Sequence, residues 1–297
     1  MISVKFFKFL HFWTLSISLA SLGLLTGCAG SGVLGRSAGQ ADSGTSPESQ
    51  NASVARTSTP WDLASVRVPA VPDAVAQEST KESINEAPAK ASLWQHRTFP
   101  GKAQNQFAYL KLDGRSAMGV KSSSSASMLR KVVSIEPAQL DAIRFSWKVP
   151  ALIADADMAL SGKDDSPVRL VLAFDGDRSK LSARDRMLSE LAYAITGEDM
   201  PYATLMYVWC NTREPGSVVT NPRTDRIRKL VLESGPKRLN RWLDYERDIR
   251  ADYLKVFGEE PGRLIAVGIM TDTDNTKSTA QAWYGPVVLG VAKLAER

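Results

Sequence analysis

Residues 143–149 read Ile-Arg-Phe-Ser-Trp-Lys-Val, and the alternation is strict. Ile143, Phe145, Trp147 and Val149 share one side, and Arg144, Ser146 and Lys148 share the other. An extended chain points successive side chains to opposite faces, so this is a strand with one face buried and one solvated. Pro150 closes it. Residues 168–174 are apolar on both faces and end at Asp175-Gly176, as a central strand would. Residues 107–112 run into the turn pair Asp113-Gly114, and residues 120–129 alternate weakly through a run of serines. Stretches 205–210, 227–232, 264–270 and 283–289 complete eight strand candidates separated by polar turns. That pattern predicts a mainly β fold, an antiparallel β-sandwich of jelly-roll type.

Two inserted helices interrupt the strands. Ser182 is placed to cap the first, whose Leu188, Leu191, Ala192 and Ile195 fall on one face before Gly197. The second is expected over residues 242–257, with a stripe of Trp242, Tyr245, Ile249, Val256 and Phe257, a Glu246–Arg250 pair one turn apart, and Gly258 as its stop. Both stripes predict helices lying as cover on a sheet or its end.

The first thirty residues have a different logic. Lys5 and Lys8 precede an apolar stretch that runs to Leu25, followed by small residues and a cysteine. This is the order of a secretory leader. Leu25-Thr26-Gly27-Cys28 resembles the bacterial lipobox. The resemblance implies a lipoprotein: a signal peptide over residues 1–27, and acylation at Cys28, with palmitate among the chains. An uncleaved membrane anchor is the alternative, but its apolar length is borderline for a span. Two or three acyl chains, at about 0.8 kcal/mol per buried CH₂, hold a protein on a membrane durably. Ala29 follows the cysteine where an Asp would signal retention, so by analogy with lipoprotein sorting the expected location is the outer membrane, facing the periplasm. Residues 28–91 are rich in Ala, Ser, Gly, Thr and Pro, lack any amphipathic period, and read as a flexible tether. The composition changes at Leu93-Trp94, so the folded domain is expected over residues 92–297.

Removing the leader leaves Cys210 and His96 as the sole cysteine and histidine of the folded part. No internal disulfide is available, zinc lacks its usual ligands, and a Cys–His nucleophile is disfavoured. No glycine-rich phosphate loop, nucleophile elbow or dinucleotide fingerprint occurs. Of 37 Lys+Arg and 32 Asp+Glu, 30 and 25 lie in residues 92–297, which therefore carry the whole formal +5. That excess is mild, and no nucleic-acid partner is expected. The densest basic run, residues 223–229, leads into Leu230-Val231-Leu232 and reads as an exposed strand.

Five blocks carry a family resemblance: KDDSPVRLVLAFDG from Lys163, PYATLMYVWC from Pro201, ERDIRADYLKVFGEEPG from Glu246, IAVGIMTDTDNT from Ile265 and AWYGP from Ala282. Together they resemble the bacterial family of domains of unknown function known as DUF3047. The resemblance spans nearly the whole folded part. It implies a secreted, single-domain, β-rich protein similar in outline to jelly-roll carbohydrate-binding modules, and it implies no activity. Cys210 stands where the family is expected to carry an acidic residue, and Pro286 where it is expected to carry Asp. Both departures would weaken a carboxylate site built there.

The chemistry concentrates in residues 272–276, Asp-Thr-Asp-Asn-Thr. Alternate residues on an extended segment point the same way, so Asp272, Asp274 and Thr276 are able to converge as hard oxygen ligands for Ca²⁺. The EF-hand pattern fails: Lys277 stands where Gly would, and Trp283 where Glu would. The plainer reading is a turn in which Asp and Asn fold back on the backbone. Asp165 and Asp175 flank the central strand. If Asp165 met Asp272 and Asp274, their repulsion would demand a cation, a shared proton, or an arginine such as Arg169, Arg247 or Arg250. Trp283-Tyr284 follow the acidic stretch, and an exposed ring beside carboxylates and amides grips sugars. The expected binding set is thus Asp165, Asp272, Asp274, Asn275, Trp283 and Tyr284. The leading expectation is a membrane-anchored, non-enzymatic module for a glycan or cell-envelope component. The rivals are a carbohydrate-active hydrolase using Asp165, Asp272 or Asp274, and a purely structural envelope lipoprotein.

Overall fold

The apolar run at residues 168–174 becomes the middle of a sheet. In the computed structural model, which describes residues 94–291, this strand spans Ser166–Phe174 and every one of its residues is buried. Numbered in chain order, the strands are β1 (Gln95–Thr98), β2 (Gln106–Leu112), β3 (Arg115–Ser123), β4 (Ala126–Ile135), β5 (Leu140–Lys148), β6 (Ser166–Phe174) and β7 (Ala203–Cys210). They continue with β8 (Val218–Thr220), β9 (Ile227–Ser234), β10 (Trp242–Asp248), β11 (Leu264–Asp272), β12 (Thr279–Tyr284) and β13 (Val288–Val291). The leader, Cys28 and the tether lie outside the described residues.

One sheet has seven strands in the order β1-β4-β11-β6-β7-β9-β8. The other has six, ordered β10-β5-β12-β3-β2, with β13 also on β5. All pairings between these strands are antiparallel except β7 with β9. The sheets meet through Ile143, Phe145 and Trp147 of β5 on one side and Leu170, Leu172, Phe174, Tyr207 and Trp209 on the other, all in one buried cluster. Phe145 and Tyr207 stack across the gap with centroids 5.7 Å apart. The fold is therefore the expected β-sandwich with two inserted helices. A second cluster contains Met158, Val171, Met206, Val208, Cys210, Val231 and Met270. Cys210 is thus a buried free thiol in an apolar setting.

Three boundaries differ from the sequence reading. Residues 120–129 are two strands in two sheets: β3 ends at Ser123, Ser124 takes φ 46°, and β4 starts the other sheet. Residues 283–289 also divide, around Gly285-Pro286, into β12 and β13. The larger correction concerns residues 242–257. Their first half is strand β10, paired with β5 from Trp242 opposite Lys148 to Asp248 opposite Ala142. Only Ile249–Phe257 is helix, here α2. The charges explain it: Asp244, Glu246 and Asp248 alternate to the solvent, while Leu243 is buried and Tyr245 lies 5.2 Å from Phe145. Glu246 pairs with Arg144 and Arg250 with Glu260, not with each other.

The other helix, α1 (Ala183–Thr196), starts at a Ser182 cap and stops at left-handed Gly197, as expected. Its expected packing is reversed. Asp185 and Ser189 are the buried residues, and Leu191 and Ile195 are exposed.

Candidate functional site

Antiparallel register brings the distant carboxylates together. Asp272 ends β11 opposite Ser166, the first residue of β6, so Asp164-Asp165 and residues 272–276 occupy the same end of the seven-stranded sheet. One carboxylate oxygen each from Asp165, Asp272 and Asp274 lie within 4.8 Å of one another, and all three residues are buried.

The protein's own groups engage them. Asp165 accepts four hydrogen bonds: from Asn275 N (3.2 Å) and Nδ2 (3.0 Å) on one oxygen, and from Thr276 N (2.7 Å) and Oγ1 (2.6 Å) on the other. Burial pushes this carboxyl up, but those donors outweigh it and hold Asp165 below the usual carboxylate range. Arg169, buried at the centre of β6, reaches Asp164 at 3.0 Å and Asp272 at 3.2 Å. Lys229 of β9, with no exposed side-chain surface, holds Asp164 at 2.7 Å. Lys102 pairs with Asp274. Four carboxylates thus face three cations, and the deficit shows at Asp272. Burial, with the charges of Asp165 and Asp164, pushes it up to about 7 against the opposing pull of Arg169. Burial beside Arg169 lowers Lys229 to about 8. A cation at Asp274 would have to replace Lys102.

Arg169 is the partner anticipated from sequence; Arg247 and Arg250 lie elsewhere, on Asp252 and Glu260. Lys229 and Lys102 were not foreseen. The basic run 223–229 reads as exposed strand, yet the structure turns part of it inward: Lys229 is fully buried, and Arg226 lies 4.0 Å over the Tyr202 ring while pairing with Glu259, whereas Arg223 stays exposed. Asp175 sits apart, paired with Arg263. Below the cluster, Asn105, Ser122, Ser125 and Thr273 form a buried network that ties the β3–β4 crossing to the end of β11, with Ser122 Oγ 2.8 Å from Thr273 Oγ1 and Asn105 Nδ2 donating to Thr271 O at 2.7 Å.

Trp283 and Tyr284 point to opposite faces. Tyr284 is buried; its hydroxyl donates to Met270 O at 2.6 Å and accepts from Arg169 N at 3.2 Å, bracing the strands under the cluster. It presents no ring to solvent. Trp283 is half-buried on the outer face of the six-stranded sheet, over Gly119, where any Cβ would meet Leu110 at 2.7 Å and the indole at 3.3 Å. Cross-strand pairing lines up Trp242, Lys148, Trp283, Gly119 and Ala108 in one row. Two residues along, Gln281, Lys121 and Gln106 form the next. That second row borders a depression of about 520 Å³ lined also by Gln104, Ser123, Pro150 and Thr279. A separate cleft of about 490 Å³ lies between Arg115, Arg144, Asp244, Glu246 and Pro286 on the same sheet. Its charges are paired, Arg115 with Asp244 and Arg144 with Glu246.

A two-sheet sandwich with an ion cluster closed at one end and a ring-and-amide strip on one face belongs to the class of β-sandwich domains. More narrowly, the chain belongs to the family described as "Protein of unknown function (DUF3047)", matched over residues 92–288. No curated protein matches it. Solved structures resemble it in architecture. One is the family 11 carbohydrate-binding module of a cellulosomal cellulase of Clostridium thermocellum, at 9% identity and TM-score 0.32, covering 68% of this chain and 91% of that one. Another is the xyloglucanase domain of NopAA from Sinorhizobium fredii, at 9% and 0.34, covering 67% and 93%. A third is Trichoderma harzianum endoglucanase 3, at 8% and 0.34, covering 70% and 100%. At such identities the likeness extends to the fold alone.

Proposed function

We propose that this chain is a non-enzymatic envelope module, anchored by lipid at Cys28, whose six-stranded sheet binds a neutral glycan on its outer face. The observation that carries the reading is the position of Trp283, one row from Gln106, Lys121 and Gln281 on an open surface. An indole covers the C–H face of a sugar ring, and amides and an ammonium one row away, about 7 Å along the strands, meet its hydroxyls. Of the residues expected from sequence, Trp283 stays in this site. Asp165, Asp272, Asp274 and Asn275 serve instead to hold the loop that leads into β12. Hydrolysis at the three aspartates is not favoured, because a glycosidase pair needs an open cleft about 5–9.5 Å wide between carboxyls. Isothermal titration of the soluble chain against a panel of envelope and cell-wall oligosaccharides tests the proposal. Binding that Trp283→Ala and Gln281→Ala each abolish supports it; binding indifferent to both sinks it.

A second reading, Ca²⁺ at Asp165, Asp272 and Asp274, has one observation in its favour, the 4.8 Å convergence of their oxygens. It requires Lys102 to leave Asp274. If it holds, Lys102→Ala in millimolar Ca²⁺ melts higher than in EDTA; equal melting temperatures exclude it.

A further inference from the structure

Helix α1 is inside out. On a surface helix the apolar stripe ordinarily faces the body and the polar stripe faces water. Here the polar side is buried. Asp185 accepts from Thr224 Oγ1 at 2.6 Å, and Ser189 accepts from Arg178 at 2.5 Å and donates to Asp199 at 3.2 Å. The apolar side faces out. Met187, Leu191 and Ile195 recur every four residues along one line, exposed by 62%, 56% and 48%, with Tyr193 exposed by 57%. Four of the nine large apolar side chains exposed among the described residues thus lie on these 14. Nothing in the helix's own stability explains this, since its caps and its buried polar bonds are complete.

Charge says what covers it. Lys180, Arg184, Arg186 and Arg223 are exposed around the helix's first turns, and none is in an ion pair with the described residues, whereas the helix itself exposes one acid, Glu190. An apolar stripe bordered by unpaired cations is the surface of a helix lying in the interface of an anionic bilayer. The first described strand, β1, lies beside this helix, for its Arg97 meets Glu198 just past the end of α1. Glu198 also pairs with Arg130 on β4, so this side belongs to the seven-stranded sheet, away from the strip at Trp283.

We infer that the exposed face of α1 seats the domain on a bilayer containing anionic phospholipid; the inference rests on the anchored reading of Cys28 for the nearness of a membrane, not for the surface itself. The two are tested apart. Acylation is read by palmitate incorporation in cells. The seat is read with the mature chain carrying Cys28→Ser, which has no acyl group, by co-sedimentation with phosphatidylcholine vesicles holding about one-third phosphatidylglycerol. Partition onto these vesicles should exceed that onto pure phosphatidylcholine and weaken with salt. Leu191→Gln with Ile195→Gln should lower it about tenfold or more, at a nearly unchanged melting temperature, because about half of each residue is already in solvent in the free domain. Arg184→Gln with Arg186→Gln should lower it and remove most of the salt dependence. The inference is overturned if the parent chain stays in the supernatant, or if the variants partition as it does. It is also overturned if sedimentation shows a dimer that the Leu191/Ile195 variant dissociates, which would make a second copy the occupant.

Discussion

Asp272 is where the charge of the cluster turns. Its folded value, about 7, lies above its unfolded 3.8, so between those values the folded state holds a proton that the unfolded chain releases. That contribution is complete below pH ~4 and is lost as pH rises to about 7, at roughly 1.4 kcal/mol per pH unit. Asp164 and Asp165 act oppositely: held below their ordinary value, they stabilise above pH ~4 and cease to do so in acid. Melting temperature should therefore peak near pH 4–5 and decline toward 7, and Asp272→Asn, neutral throughout, should flatten the decline. An equally steep decline in the Asn variant would place the titration elsewhere. Lys229 gives a second expectation. Its ammonium is sealed against Asp164 and donates to Met158 O at 3.1 Å, so Lys229→Met leaves a buried carboxylate with Arg169 as its remaining full charge. Denaturant unfolding should show a loss of about 3 kcal/mol or more. Sequence could name Asp272, Asp274, Asp165 and Arg169 because carboxylates clustered at strand ends carry a visible pattern. It could not name Lys229, whose setting in a basic run signals solvent, nor Lys102, which lies in a loop without any period.

The element most misread is instructive because both periods fit it. Trp242, Tyr245 and Ile249 are spaced for a helix, and Leu243, Tyr245 and Arg247 for a strand. Tertiary pairing decides: β5 offers an open edge with Phe145 and Trp147 inward, and the alternating acids of β10 then protect the sheet's new edge. The helix begins only where Asp248 caps it, its carboxylate accepting from Ala251 N at 2.9 Å. Asp248→Ala should cost about 1 kcal/mol, and Asp248→Asn much less, by urea unfolding. Strand β5, by its strict alternation, and β6, by its apolar run on both faces, were legible to within a few residues. The serine run was not, because a corner between sheets is set by hydroxyls bonding Thr273 and Asn105 across large sequence separations. The caps of α1 were legible too, yet its facing was not: a hydrophobic stripe tells which residues share a side, never that the polar side will be the one buried.

At the scale of the molecule, the two sheets present different chemistry to opposite sides. The six-stranded sheet exposes an indole, amides and hydroxyls without an unpaired acid beside them, as far as the described residues go. The seven-stranded sheet carries the ion cluster at its end and α1 with its cations on its flank. A domain held by lipid at residue 28 and seated through α1 would turn the Trp283 strip away from the bilayer, toward whatever polymer lies beyond it. On the proposed function and the proposed seat, anchoring and recognition are separate, and the two should fail independently. Cys28→Ser should abolish acyl labelling and leave the chain on sedimented membranes only through α1, so that high salt releases it. It should leave oligosaccharide affinity unchanged within about twofold, since 0.4 kcal/mol is the resolution of such a comparison. Trp283→Ala should do the reverse, keeping the chain on membranes while removing binding. Its melting temperature should drop only a few degrees, because the indole is half-buried over Gly119 and its loss opens no interior cavity. If Cys28→Ser weakened binding as much as Trp283→Ala did, recognition would depend on the membrane itself, and the strip on the outer sheet would have to be given up as the place where the ligand lies.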